Sequence, residues 1–546
     1  MTRREPHREW DAEGDERRSF ASRTPVNDNP GAVVYRRGFV TRHQVSGWRF
    51  VMRRIASGIA LHDTRMLVDP LRTQSRSVLM GVLILITCLG GCFIFSLIRP
   101  NGTVGNNAVL ADRSTAALYV RVGDQLHPVL NLTSARLIVG KPDNPATVKS
   151  TELDRFPRGN LIGIPGAPER MVQSTARDAN WTVCDTITGP VQDGRAGHST
   201  GVTVIAGPPD SHGARAGALT SDQVVLVDFS GDRGRSTWLL WEGKRSQIDV
   251  ADHAVTNALG LGTDLPAPRP IAAGLFNAIP EAPPLAAPAI PNAGNPANFP
   301  VPAPIGAVVV AYSLEQRSSD TYYAVLPDGL QPISPVLAAI LRNTNSYGLQ
   351  QPPRLGADEV AKLPVSRMLD TARYPAQRVT LVDSGHDPVT CAYWSKPAGA
   401  ATSALRLLSG SALPVPERVR TVDLVSAGAP GAAGAAARVA LAPGTGYFTQ
   451  TVGGGTAAPP TGSLFWVSDT GVRYGIDTEV GAGTAGRSKT VEALGLSNPP
   501  LGIPWSILSL FANGPTLSRA DALLAHDGLA PDTKPGRPAE AQGEPR

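Results

Sequence analysis

Two stretches of this sequence have the residue types and spacing of catalytic loops. Gly197–Gly201 reads Gly-His-Ser-Thr-Gly, the G-x-S-x-G spacing that exposes a serine nucleophile on a sharp strand-to-helix turn beside an oxyanion hole. Here a polar loop precedes the motif and a strand pattern follows it, so the turn that this chemistry needs is missing, and Ser199 is read as structural. Gly481–Thr490, GAGTAGRSKT, approaches G-x-x-x-x-G-K-[ST], in which a lysine reaches the β/γ-phosphates and a hydroxyl holds magnesium. Gly481 and Gly486 keep the frame, Arg487 stands where lysine belongs, and Ser488 stands where the hydroxyl belongs. The upstream residues, GIDTEV, are not an apolar strand, and no strand ending in a Walker-B-type aspartate presents itself. A Gly-rich loop between a hairpin and a helix accounts better for these residues, which remain a weak nucleotide candidate. The histidines are scattered, none lies in HExxH, and no cysteines form CxxC. No catalytic residue, metal site or cofactor is therefore assigned.

The cysteines divide into two kinds. Cys88 and Cys92 lie one helical turn apart inside an apolar run and read as small fillers on one helix face. Cys184 and Cys391 are the other two of the four. In an oxidising compartment they read as one disulfide closing a long loop; two unpaired buried thiols are the alternative.

The elements that would position these residues begin with Val78–Ile98, VLMGVLILITCLGGCFIFSLI, which carries no charge. A run of about 20 apolar residues crosses the hydrocarbon core as a helix with its backbone groups bonded internally. It lies too far from the N-terminus and is too long for a cleavable signal peptide. Arg36, Arg37, Arg42, Arg49, Arg53, Arg54, Arg65, Arg72 and Arg76 precede it, opposed by Asp63 and Asp69; beyond it, Arg99 is followed by no basic residue until Arg113. Positive charge stays inside, so the N-terminus is expected in the cytosol and residues beyond about 99 outside. Residues 1–30 are polar, without apolar period, and are expected to be disordered, as is the 528–546 tail. Val45, Trp48, Met52, Ile55 and Ile59 recur at alternating spacings of three and four and define an apolar helical stripe. So short a stripe must pack on something. We read it as docking on a protein partner, with its own copy or the membrane surface as alternatives.

The outer region repeats itself. LYVRVGDQLHPV (Leu118–Val129) matches YYAVLPDGLQPI (Tyr322–Ile333), each strand–turn–strand, and TELDRFP (Thr151–Pro157) matches DEVAKLP (Asp358–Pro364). WLLWEGKRSQI (Trp238–Ile248) matches LFWVSDTGVRYGI (Leu464–Ile476), with NALGL and EALGL following. The expected fold class is α+β, mostly β: a cytosolic N-terminal helix within 31–76, one transmembrane helix at 77–99, and a periplasmic region over 100–527. That region holds four hairpin-plus-helix repeats, near 111–170, 222–294, 320–375 and 462–527, around a central β domain. Val202–Gly207, Ala307–Leu314, Arg378–Ser384 and Ala404–Gly410 are assigned to that central domain. The proline-rich Asp264–Pro304 is read as a stiff connector and the Ala/Gly-rich Val425–Pro460 as loop-heavy. Gly (56) and Pro (49) abundance favours short strands and turns over helical bundles. A net charge of +5 without a basic, aromatic-interleaved patch argues against a nucleic-acid partner.

These residues together resemble the EccB family of the ESX (type VII) secretion systems. The likeness rests on Thr41–Arg72, Ala111–Pro145, Phe156–Val172, Asn180–Asp185, Pro388–Trp394 and Gly514–Asp527, and covers about residues 20 to 527. Arg17–Pro30 and Gly446–Gly455 are most similar to the paralogue of the third system. The resemblance implies a subunit of an inner-membrane core complex with the EccC motor ATPase, EccD and EccE. It also implies pairing of Cys184 with Cys391, self-association in the periplasm, and repeats akin to phage-lysin wall-binding modules with peptidoglycan as a further contact. It implies export of Esx and PE/PPE proteins and a link to iron and zinc acquisition. The family carries an ATPase designation, so ATP enters by that designation alone.

Overall fold

A computed structural model describes residues 42–62, 70–98, 103–188, 198–231, 234–262, 265–312, 320–425, 435–453, 455, 457, 461–478 and 488–529. The chain divides into two compact units, residues 1–100 and 101–546. In the first, helices span Arg42–Leu61 and Pro70–Ile98. The second helix starts well before the expected boundary at 77, on a proline, whose missing N–H costs nothing in a first turn.

The second unit is mostly β, and four of its sheets share one plan. Each opens with a three-stranded antiparallel meander: Val109–Asp112, Leu118–Val122 and Gln125–Pro128; Gln223–Gly231, Gly234–Trp241 and Lys244–Ile248; Val308–Ala311, Thr321–Leu326 and Gly329–Ile333; Tyr447–Val452, Leu464–Val467 and Val472–Ile476. A helix follows: Leu132–Val139, His253–Leu259, Pro335–Thr344 or Lys489–Ala493. The chain then returns as a short strand parallel to the first of the meander. A second short helix follows, and the chain bridges in parallel to the third strand. Hairpin-plus-helix is thus only the first half of the unit. The four main helices open on side-chain caps, Asn131, Asp252, Ser334 and Ser488, each accepting from a backbone N–H of the first turn.

A seven-stranded sheet lies among these units. Its inner strands run His198–Ala206, Ala179–Thr188, Val389–Lys396 and Ala404–Gly410 in spatial order, all antiparallel. The Val202–Gly207 and Ala404–Gly410 patterns belong to it, whereas two other expected members do not. Val308–Ala311 opens the third unit, and Thr380–Leu381 pairs with the edge of the second unit's sheet. Buried strands look alike in sequence whichever sheet they join. The proline-rich stretch is likewise no simple connector. Arg269–Pro270, the helix Ala273–Ala278 and Glu281–Leu285 complete the second unit, and both strands lie at sheet edges, where prolines are tolerated. Within 425–460, Arg438–Ala440 and Tyr447–Val452 are strands.

Packing follows pairs of units. The first and fourth share one apolar core (Val120, Leu137, Trp466, Val491), and the second and third share another (Leu239, Leu259, Leu326, Leu337). The second and fourth both pack on one face of the central sheet, where Trp181, Val183 and Trp394 meet Leu275, Phe276, Ile507 and Phe511. The two-residue strand Ala525–His526 pairs with Leu161–Ile162, returning the end of the described chain to the first unit.

Candidate functional site

In the N-terminal unit, all five stripe residues of the Arg42–Leu61 helix are exposed, Trp48 at 66% and Ile59 at 73%. Nothing among the described residues covers them. The Pro70–Ile98 helix contains a 22-residue stretch, Gln74–Phe95, long and apolar enough to cross a membrane, with none of its apolar window buried. Its Thr87 hydroxyl donates to Leu83 O at 2.8 Å. The helix thereby satisfies its own polar group, as a hydrocarbon surrounding demands. Cys88 and Cys92 are exposed free thiols on this helix. Val78 is exposed, and Ile98 is the last helical residue.

In the unit spanning residues 101–546, Cys184 and Cys391 are bonded to each other across the two middle strands of the central sheet, both wholly buried. Beside them lies an ion pair, Asp185 with Arg269 at 3.2 Å, neither side chain exposed at all. Asp185 also accepts from the Ser199 hydroxyl and from Ala272 N at 3.0 Å. Arg269 donates further to the Thr390 hydroxyl and to Pro388 O at 3.3 Å. Burial pushes the Asp185 carboxyl above the usual carboxylate range, against the pull of Arg269, Ser199 and the Ala272 N–H. This knot ties the returning strand of the second unit to the middle of the central sheet. Ser199 lies within a strand, and its hydroxyl is committed to a buried carboxylate with no histidine in the network. In this position the hydroxyl helps hold the buried carboxylate.

Gly481, Gly486 and Arg487 lie outside the described residues. Ser488 is described, and its hydroxyl caps the Lys489–Ala493 helix by accepting from Thr490 N at 3.3 Å. Asn131, Asp252 and Ser334 do the same in the other units, so Ser488 holds a position that the fold fills with a capping residue each time. No grouping of His, Cys, Asp and Glu that could hold a metal occurs among the described residues. A cleft of about 480 Å³ opens at the end of the central sheet, lined by Asn180, Trp181, Tyr393 and Tyr447 among others. Its Asn180 and Tyr393 polar atoms already bond each other at 2.7 Å.

The family described as "Type VII secretion system ESX-1, transport TM domain B" matches residues 37–531. The chain is 75% identical over 533 residues to the "ESX-3 secretion system ATPase EccB3" of Mycobacterium tuberculosis, covering 97% of each. The chain belongs to the EccB family, on its ESX-3 branch. The EccB3 protein of Mycolicibacterium smegmatis is 65% identical over 525 residues, 96% of this chain and 98% of that one. Among solved structures, a chain of an intact ESX-5 inner membrane complex superposes with a TM-score of 0.70 at 37% identity, over 93% of this chain and 99% of that one. The EccB3 dimer of an ESX-3 core complex gives 0.67 at 58% identity, over 77% of this chain and 100% of the other.

The cysteine count and the EccB resemblance both pointed to Cys184 and Cys391, but no sequence reading singled out the buried knot next to them. One signal was present. Asp185 is a lone charge inside the apolar strand WTVCDTI, and a charge there must have a buried partner. Its partner Arg269 sits among prolines, where composition suggested linker.

Proposed function

We propose that this chain is the membrane-anchored structural subunit of an ESX-3 secretion core complex, holding a large disulfide-bonded repeat region on the periplasmic side of the inner membrane. The observation that carries the reading is the conjunction of an apolar helix ahead of the large β-rich region with a structural likeness, over 93% of this chain, to a chain of an ESX-5 inner membrane complex. Orientation is argued from the arginines that crowd the N-terminal flank, and from the disulfide, which needs an oxidising compartment. The exposed 45–59 stripe is then cytosolic and free to meet EccC, EccD or EccE. Self-association is supported by the dimer formed by the related EccB3. Export of Esx and PE/PPE proteins, the link to iron and zinc acquisition, and contact of the repeat units with peptidoglycan belong to this reading through the family resemblance.

A second reading, ATP hydrolysis by this chain itself, is favoured by the word ATPase in its relatives' names. The first reading is tested by purifying the tagged full chain from detergent-solubilised membranes, and the second by phosphate release from ATP in the same preparation. Co-purification of EccC, EccD and EccE, with an export-dependent reporter active when fused after residue 110, supports the structural role. Absence of all three partners, or reporter activity only in the cytosol, would overturn it.

A further inference from the structure

The second and fourth units, built on one plan, differ in what surrounds one arginine. In each, a left-handed glycine, Gly243 (φ 75°) or Gly471 (φ 81°), turns the chain into the third strand, and the second residue of that strand is an arginine, Arg245 or Arg473. Each arginine lies opposite the same place on the parallel last strand: Arg245 faces Glu281, and Arg473 faces Asn513. Each guanidinium lies over an aromatic ring of the preceding short helix, Phe276 at 4.0 Å or Trp505 at 5.0 Å, and each has its Nε buried without a partner.

From there the two diverge. Arg245 donates to Phe276 O, Ile279 O and, at 3.2 Å, Glu281 Oε2. Its ring partner Phe276 is 4% exposed. The Arg473 guanidinium makes no hydrogen bond or ion pair with any described residue, its Nε is buried without a partner, and Asn513 opposite offers no charge. Burial weakens its hold on the proton, and no acid among the described residues restores it as Glu281 does for Arg245. Its ring partner Trp505 is 52% exposed and tilts against Phe465 at 6.1 Å. Part of this cation is thus withdrawn from water with no anion among the described residues beside it. An exposed tryptophan stacked on an arginine has the composition that dominates protein interfaces.

We propose that Arg473, Trp505 and Phe465 form a docking site on the fourth unit for another protein chain. That chain presents an Asp or Glu carboxylate to Arg473 and an apolar side chain to the two rings, supplying in trans the carboxylate that Glu281 supplies in cis to Arg245. The proposal deepens the reading of the chain as an assembly subunit and rests on it in one respect, that a second protein lies within reach.

The test places a photoreactive phenylalanine analogue at Thr516, which is exposed and near Gly475 beside Phe465, in the full-length chain in its native membrane. Cross-linked peptides are identified by mass spectrometry, and co-purification of the EccC, EccD and EccE subunits is followed in the same preparations. The expected cross-link carries an acidic residue next to an apolar one. Arg473→Gln should lower its yield by about tenfold or more, in keeping with loss of a charge-assisted contact. Asn513→Glu rebuilds within the chain the acid of the second unit at an exposed position, and should lower the yield without loss of folding. Reversing the partner's acid to Lys together with Arg473→Glu should restore it. A yield unchanged in both single variants, or cross-links confined to lipid or glycan, overturns the docking site. If co-purification then persists, the assembly role stands without it.

Discussion

Cys184 and Cys391 sit directly opposite one another on neighbouring antiparallel strands, 207 residues apart in the chain. Glu152 and Glu359, in the matching short helices of the first and third units, stand the same distance apart. Each cysteine strand follows one of those units and is flanked on its outer side by its own hairpin partner, His198–Ala206 or Ala404–Gly410. The disulfide therefore lies where a local two-fold of the topology passes through the central sheet, and it joins equivalent positions of two tandem halves. The units pair across those halves, first with fourth and second with third.

Because the bridge closes so long a loop, its loss should be felt mainly in the unfolded chain. Cys184→Ser is expected to destabilise the outer region by about 2–5 kcal/mol. Denaturant melts of oxidised wild type and variant measure the loss, and peptide mapping without reductant should recover one Cys184–Cys391 pair. Equal midpoints would show that the strand register alone holds the sheet.

Asp185→Ala should be strongly destabilising, since it removes the acceptor shared by Arg269, Ser199 and Ala272. Removing one partner strands the Arg269 guanidinium in a wholly buried site, a loss of about 3–5 kcal/mol. Asp185→Leu combined with Arg269→Met should be milder than either change alone, since neither charge is then left unpaired. Additive losses in this cycle, read from thermal melts, would mean that the pair is not coupled.

The units were legible because each meander turns on a small or left-handed residue between strands of alternating pattern, as at Gly123 and Gly471. Their second halves were not legible. Return strands such as Arg269–Pro270 and Arg354–Leu355 are two residues long, and no period can be read from two residues. Val308–Ala311 is buried along its whole length, so its pattern announces a strand without saying which sheet receives it. Arg473 was invisible for another reason. Only comparison with Arg245 in the folded units shows that it lacks an acid.

The exposed stripe of the Arg42–Leu61 helix leads to an assembly phenotype. A helix of this length gains most of its stability from what its apolar face packs against. Trp48→Asp or Ile55→Asp should abolish co-purification of the cytosolic partner while the outer region keeps its disulfide. Normal assembly in both variants, with membrane binding weakened instead, would assign the stripe to lipid.

The nucleotide-loop reading and the helix-cap reading of Ser488 make opposite predictions for one substitution. In a phosphate-binding loop the serine hydroxyl holds magnesium, and the longer asparagine side chain does not reproduce that short-reach coordination. As a helix cap, Ser488 has only to accept from the first turn, and Asn131 performs that task in the first unit with an amide oxygen. Ser488→Asn should therefore leave stability and secretion near wild type, whereas Ser488→Ala should cost about 1 kcal/mol through the lost cap. Arg487→Ala, which removes the only cation at the lysine position of the motif, should also leave secretion intact. The measurements are thermal melts of the purified full chain, secretion in a complemented strain, and phosphate release from ATP. Release above a no-enzyme blank in wild type, lost together in Ser488→Asn and Arg487→Ala while both variants still assemble, would establish a nucleotide site and place part of the system's energy transduction in this chain.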